Sequence, residues 1–179
     1  MNFPQRKSPR ASWIEYNGGT YFITICTHNK QHYFGSIQNE EIKLSLIGKI
    51  LAEELNQIST HYPYIELLQY VVMPNHFHAL VNIVDVSHQT DAARCVPTEV
   101  RFNKELKGKR LPLLSTFIRG LKSAVTRRAH QIDKNFEWQS RYHDHAIRNL
   151  KDFNNISLYI ENNILQWQYD CYNKTHHPK

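Results

Sequence analysis

Residues 70–81 hold two histidines that are separated by one phenylalanine and lie in an apolar, β-branched run. Such a run is typical of a buried strand, and side chains alternate between the two faces of a strand. His76 and His78 are therefore expected on one face, with Phe77 on the other. Two imidazoles side by side on a strand can bind one divalent metal ion. Because short pairs of this kind are common, the pair alone leaves a metal site and a structural role equally open.

Hydrophobic periodicity predicts an α+β fold, with a central antiparallel sheet of four or five strands and helices packed on it. The histidine strand is expected in the middle of this sheet. Aromatic and β-branched runs predict strands over residues 20–28, 65–73 and 75–84. Apolar residues at helical spacing predict helices over residues 45–61, 113–131 and 151–166. An extended histidine-rich segment and a loop with a short hairpin are expected over 136–147 and 29–43.

The chain has 179 residues, which is enough for one domain with its own core, and no internal repeat divides it. We expect a basic N-terminal arm over 1–19, a single domain over 20–167 and a polar tail over 168–179. Residues 85–112 are polar and charged, which predicts a long loop. Its basic cluster is equally compatible with a nucleic-acid contact and with a solvated loop.

The formal net charge of +6 permits an anionic partner such as nucleic acid, although many basic proteins bind none. Three cysteines, odd in number and far apart, predict reduced thiols and a cytoplasmic protein. No apolar run is long enough to span a bilayer, and the N-terminus lacks the apolar core of a secretory signal. We therefore expect no membrane partner.

The predicted last helix carries Tyr159 and Asn163, which are four residues apart and therefore share one face. A tyrosine can attack phosphorus when a metal ion polarises the phosphate. The Asn163 amide oxygen can act as a third metal ligand beside His76 and His78, leaving positions open for phosphate oxygens and water. A helical tyrosine is more often a packing residue, so this chemistry depends on the four residues acting together.

These motifs resemble the single-tyrosine HUH transposases of the IS200-like superfamily, and among them the REP-associated tyrosine transposases. Matching segments follow the family's order and cover nearly all of the predicted domain, at residues 21–28, 70–78, 117–126, 138–149 and 159–163. The resemblance implies that Tyr159 is the nucleophile and that His76, His78 and Asn163 bind the metal. In one departure, Ile164 stands where the family commonly has proline, which predicts that the helix continues past Asn163.

The resemblance implies a bacterial transposase and endonuclease that depends on Mg²⁺ or Mn²⁺. It would cleave and rejoin single-stranded, hairpin-forming DNA through a 5′-phosphotyrosine intermediate, as a monomer or a homodimer. Basic side chains on and near the predicted helix over 113–131 are our candidates for phosphate contacts: Arg119, Lys122, Arg127, Arg128 and Arg141.

Several alternatives remain open from the same residues. His143 and His145 form a second pair around Asp144 and could be the metal-binding pair instead, and Tyr142 is a second candidate nucleophile. Because Asp144 and His145 match a family motif, we expect them near the site or at its rim. The protein could also be a non-catalytic DNA-hairpin-binding protein of this fold, or a nuclease that uses water and forms no covalent adduct.

Overall fold

A computed structural model of the chain describes residues 18–84 and 113–173. Most of the predicted basic arm, the predicted loop over 85–112 and the end of the predicted tail lie outside the described residues. Within the described ranges the elements follow in the order β1 (Gly19–Cys26), β2 (Gly35–Gln38), β3 (Glu41–Leu44), α1 (Leu46–Asn56), α2 (Ile58–His61), β4 (Ile65–Val72), β5 (His76–Ile83), α3 (Leu113–Ala129), β6 (His143–Ala146) and α4 (Leu150–Asn162).

The central sheet has four antiparallel strands in the order β4-β5-β1-β6, and β2 pairs with β3 in a separate hairpin. The predicted α+β fold with an antiparallel sheet and packed helices is confirmed. Strand β5, which carries the two histidines, lies between β1 and β4. His78 is opposite Thr24 of β1 and Val71 of β4. Backbone hydrogen bonds on both sides therefore hold the histidine strand in register.

The two faces of this sheet pack against different helices. On one face, Phe77 lies in the main hydrophobic core together with Leu51 of α1 and Phe117 of α3. On the other face, Leu80 of β5 packs with Ile160 of α4 in a smaller core. Because side chains alternate along β5, both histidines lie on the α4 face. Alternation along one strand thus separates the imidazoles from the main core.

Two predicted helices differ from the observed ones by more than two residues. The predicted helix over 45–61 is divided at Gln57 into α1 and α2. Helix α4 ends at Asn162, so the expected continuation past Asn163 is wrong. The Asn163 N–H bonds to the carbonyl of Ile160, three residues earlier, which tightens the last turn beyond α-helical spacing. A series of turns follows and brings the chain back towards β5.

Of the helices within 18–84 and 113–173, none combines the length and apolar character needed to cross a lipid bilayer.

Replacing Phe77 by alanine should lower the free energy of unfolding by about 3–5 kcal/mol, because it leaves a cavity in the main core. Phe77 is fully buried. Leu68 of β4 is 40% exposed, and Leu68→Ala should cost less than about 1 kcal/mol. Urea denaturation followed by circular dichroism measures both variants. A Phe77→Ala variant as stable as Leu68→Ala would contradict the placement of this ring in the core.

Candidate metal centre and tyrosine site

The side chains of His76 and His78 converge on the α4 face of the sheet. Their Nε2 atoms are 3.1 Å apart, and both side chains are buried. Thr24 Oγ1 lies 2.7 Å from His78 Nδ1, and the Phe22 ring stacks on the His78 ring with centroids 5.1 Å apart. Side chains of β1 thus hold the second imidazole in one orientation.

Asn75 determines which nitrogen of His76 carries the hydrogen. Its amide nitrogen donates to the backbone carbonyls of Lys30 and Tyr172 over 3.2 and 2.8 Å, so the amide oxygen faces His76. That oxygen is 2.8 Å from His76 Nδ1 and can only accept a hydrogen bond. Nδ1 is therefore the protonated nitrogen, and Nε2 of the neutral ring keeps its lone pair. Imidazole ligands of metals are typically oriented by such a hydrogen bond.

Burial keeps both imidazoles neutral. It lowers the pKa of His78 from its ordinary value to about 3. It also lowers the pKa of His76 well below the ordinary value, with smaller contributions from His78 and the Lys30 ammonium. Desolvation disfavours the charged form of a histidine, and the neutral form is the one that binds metals. The pair is thus ready to act as ligand over the physiological pH range.

Two buried side-chain oxygens in this region have no hydrogen-bond partner, namely Asn163 Oδ1 and Asp170 Oδ2. Asp170 Oδ2 lies 3.6 Å from His76 Nε2. The potential ligand atoms of His76, His78 and Asp170 all lie within 4.8 Å of one another. Buried oxygens of this kind are normally paired, because leaving them unpaired costs free energy. The side chains of His76, His78 and Asp170 could therefore hold a single divalent metal ion.

Tyr159 brings a hydroxyl to the same place. Its oxygen is 3.3 Å from His78 Nε2, and its ring packs edge-on against Phe22. Burial raises the pKa of Tyr159, and a hydrogen bond from the Asn163 side chain acts in the opposite direction. The side chain is still 39% exposed, and it lines a pocket of about 380 Å³ that also includes Asp144. The hydroxyl is thus close to the imidazoles and accessible from solvent.

The second histidine pair also lines that pocket. Thr24 is opposite His78 on one side and His143 on the other, so His143 and His145 share the face of His78. Both are exposed, and His145 Nε2 lies 2.8 Å from the Asp152 carboxylate at the start of α4.

Tyr142, the second candidate nucleophile, is directed towards another element. Its hydroxyl lies 3.0 Å from Ser115 Oγ of α3, and its ring packs against the main core. Helix α3 lies on the face of the sheet opposite the imidazoles. The structure therefore brings Tyr159, and not Tyr142, beside the His76–His78 pair.

The candidate phosphate-binding residues of α3 likewise lie across the sheet from the imidazoles. The Arg128 guanidinium pairs with the carboxylates of Glu53 and Glu54 on α1. The Lys122 ammonium donates over 2.7 Å to the backbone carbonyl of Gln139. The other members of the set are exposed to solvent: Arg119, Arg127 and Arg141. Two of the five predicted contacts are thus already engaged within the protein.

Sequence reasoning missed Asp170, because it lies in the segment predicted as a polar tail and outside any helical period. The turns after α4 bring this segment back over β5. The Tyr172 and Trp167 rings lie 4.6 and 6.1 Å from the His76 ring, centroid to centroid. Aromatic residues in an otherwise polar tail were the one signal in the sequence that this segment is packed.

Known proteins resemble this chain in sequence and in fold. No family model matches the chain. An uncharacterised protein of Haemophilus influenzae is 30% identical over 167 residues, which cover 92% of this chain and 91% of that protein. This chain belongs to the same family as that protein. The structure of a REP-associated tyrosine transposase bound to a REP hairpin matches with a TM-score of 0.60 and 22% identity, over 92% of this chain and 76% of the other.

The chain has the fold of the REP-associated tyrosine transposases. The fold that the motif resemblance implied is thereby confirmed.

Without metal, the fold should lose stability as the pH falls from about 6.5 towards 3, because the unfolded histidines bind protons that the buried ones do not. The depressed pKa values of His76 and His78 are the cause. Each histidine contributes a slope of up to about 1.4 kcal/mol per pH unit. Stability is highest above the unfolded pKa.

Chemical denaturation in the presence of a chelator, repeated across this pH range, measures the effect. His78→Gln should flatten the slope. His61→Gln removes an exposed histidine of α2 and should keep the slope of the wild type. Identical slopes in the two variants would contradict the burial of an uncharged His78.

Proposed function

We propose that this chain is a single-tyrosine transposase that cleaves and rejoins single-stranded, hairpin-forming DNA through a 5′-phosphotyrosine intermediate. The observation that carries the proposal is the position of the Tyr159 hydroxyl, 3.3 Å from one nitrogen of a buried, neutral imidazole pair. The fold supports it, since a transposase with this fold has been seen bound to a REP hairpin.

His76, His78 and Asn163 would hold a divalent metal ion, Mg²⁺ or Mn²⁺. The lone pair on His76 Nε2 and the unpartnered oxygen of Asn163 support this assignment. When bound, the ion would supply positive charge to the phosphate oxygens as the reaction proceeds. Imidazole nitrogens favour Mn²⁺ over the harder Mg²⁺.

Tyr159 would attack the scissile phosphorus from the pocket. As its phenolic oxygen bonds to phosphorus, the bond from phosphorus to the 3′-oxygen breaks. The products are a 5′-phosphotyrosine and a free 3′-hydroxyl. The phenolic proton passes to water, and the departing 3′-oxygen takes up a proton from water, so charge and atoms balance. Attack of a 3′-hydroxyl on the phosphotyrosine reverses the step and joins strands.

Asn163 would serve both the metal and the nucleophile through the two ends of one amide. Its unpartnered Oδ1 is a metal ligand in this proposal. Its hydrogen bond to Tyr159 lowers the pKa of the phenol and so opposes the effect of burial. An amide can do both, because its oxygen only accepts and its nitrogen only donates.

Tyr159→Phe should abolish covalent capture of DNA, because phenylalanine has no oxygen to attack phosphorus. Labelled single-stranded hairpin oligonucleotides, taken from repeats that flank the gene, are incubated with protein and Mn²⁺ and separated on a denaturing gel. Wild type should give a slowly migrating protein–DNA band that is absent in Tyr159→Phe. Tyr142→Phe removes one hydroxyl on the other face of the sheet and should keep the band.

Other results of this gel would contradict the proposal. Cleavage without a covalent band, unchanged in Tyr159→Phe, would indicate a nuclease that uses water. Hairpin binding by a metal-loaded protein with no cleavage of any flanking repeat would indicate a non-catalytic hairpin-binding protein.

We propose Arg119, Arg127 and Arg141, the exposed members of the basic set, as phosphate contacts. Because α3 lies across the sheet from Tyr159, its arginines would contact phosphates away from the cleaved bond. We expect Arg127→Ala to weaken DNA binding without destabilising the fold. Loss of one phosphate contact should reduce the slope of log affinity against log salt concentration by about 0.7–0.9. Arg128→Ala is the matched control. Its guanidinium pairs with Glu53 and Glu54, so its loss should leave the salt slope unchanged. Fluorescence anisotropy over a salt series measures both; an unchanged slope in Arg127→Ala would remove that residue from the interface.

A further inference from the structure

Asp170 is held with one carboxylate oxygen in a turn and the other directed at the imidazole pair. Oδ1 accepts a hydrogen bond of 2.7 Å from the Tyr172 N–H. Oδ2 has no hydrogen-bond partner and lies 3.6 Å from His76 Nε2, in a side chain that is only 5% exposed. A buried carboxylate oxygen without a partner is unfavourable, and a bound cation would satisfy Oδ2.

A hydrogen bond between Asp170 and His76 does not account for this arrangement. The separation of 3.6 Å is longer than a hydrogen bond, and the hydrogen of the neutral His76 ring is on Nδ1, facing Asn75. His78 Nε2 faces the same His76 nitrogen at 3.1 Å. One proton could join only two of these three atoms, whereas one cation can accept lone pairs from all of them.

The contacts around Asp170 hold it in place independently of any ion. The Asn75 amide that orients His76 also donates to the Tyr172 carbonyl over 2.8 Å. The Lys30 ammonium donates over 2.7 Å to the carbonyl of Cys171. The backbone that follows Asp170 is therefore tied to the beginning of β5 and to the turn after β1. The carboxylate is preorganised beside the imidazoles.

We propose that Asp170 is a ligand of the metal ion, in addition to His76, His78 and Asn163. The inference rests on the proposed function, because it takes His76 and His78 as the metal-binding pair. It makes residues 167–173 part of the metal centre. A carboxylate also lowers the net charge of a divalent site by one unit, which the neutral imidazoles and amide do not, and two imidazoles with a carboxylate suit first-row divalent metals.

The first test is the affinity of the full chain for Mn²⁺, measured by isothermal titration calorimetry without DNA. Asp170→Asn keeps an oxygen that can accept from the Tyr172 N–H, but it removes the charge. Its Mn²⁺ affinity should fall at least about tenfold, the lower end of what loss of a supporting residue costs. Glu41→Gln removes one exposed carboxylate from β3 and should bind Mn²⁺ like wild type.

Thermal unfolding gives a second readout that also reports whether the variant is folded. Without metal, Asp170→Asn should melt at the wild-type temperature or above it, because a buried unpaired charge is gone. With saturating MnCl₂, the melting temperature of the wild type should rise more than that of the variant, since a ligand stabilises the folded state according to its affinity. Equal gains in the two proteins would overturn the assignment of Asp170.

The outcomes separate this inference from the proposed function. In one outcome the wild type binds Mn²⁺, His78→Gln loses binding, and Asp170→Asn binds like the wild type. Asp170 is then not a ligand, and the proposed metal pair of His76 and His78 stands. If the wild type binds no Mn²⁺, both assignments fail. Weaker binding in both His78→Gln and Asp170→Asn, with Glu41→Gln unchanged, supports both.

Discussion

The site depends on the pairing of β5 with a strand on each of its sides. A shift of one residue would move both imidazoles into the main core and bring Phe77 to the α4 face, because alternate side chains exchange faces. Two hydrogen-bonded ladders and the burial of Phe77 oppose that shift together. The same pairing holds Thr24 against His78, so the imidazole is oriented by the strand that keeps it in register.

Around this strand the protein concentrates groups that are unfavourable to bury. Two imidazoles are held neutral, and the oxygens of Asn163 and Asp170 have no hydrogen-bond partner. These groups lower the stability of the metal-free fold. A cation bound only by the folded state would offset that cost and stabilise the protein by mass action. The cost of burying these groups and the proposed affinity for metal would then have one origin.

The basic face of α3 shows the limit of charge patterns. The apolar residues of this helix are buried, as their spacing predicted, and Arg119 and Arg127 lie exposed on its other side. The charge pattern did not identify the anions that these basic side chains contact. In the structure, the Arg128 guanidinium pairs with the carboxylates of Glu53 and Glu54 on α1. A carboxylate and a phosphate attract a guanidinium alike, so the number and spacing of charges cannot distinguish an intramolecular pair from a DNA contact.

The sequence alone determined the features that follow from the periodicity of strands and helices. Strand alternation placed His76 and His78 on one face, and helical spacing placed Asn163 one turn after Tyr159, because each depends on neighbours along the chain. Only the tertiary structure decided that Asp170 returns to His76 and that the second histidine pair lines the same pocket. Those contacts join residues far apart in sequence through turns and strand pairing, and no local period encodes them.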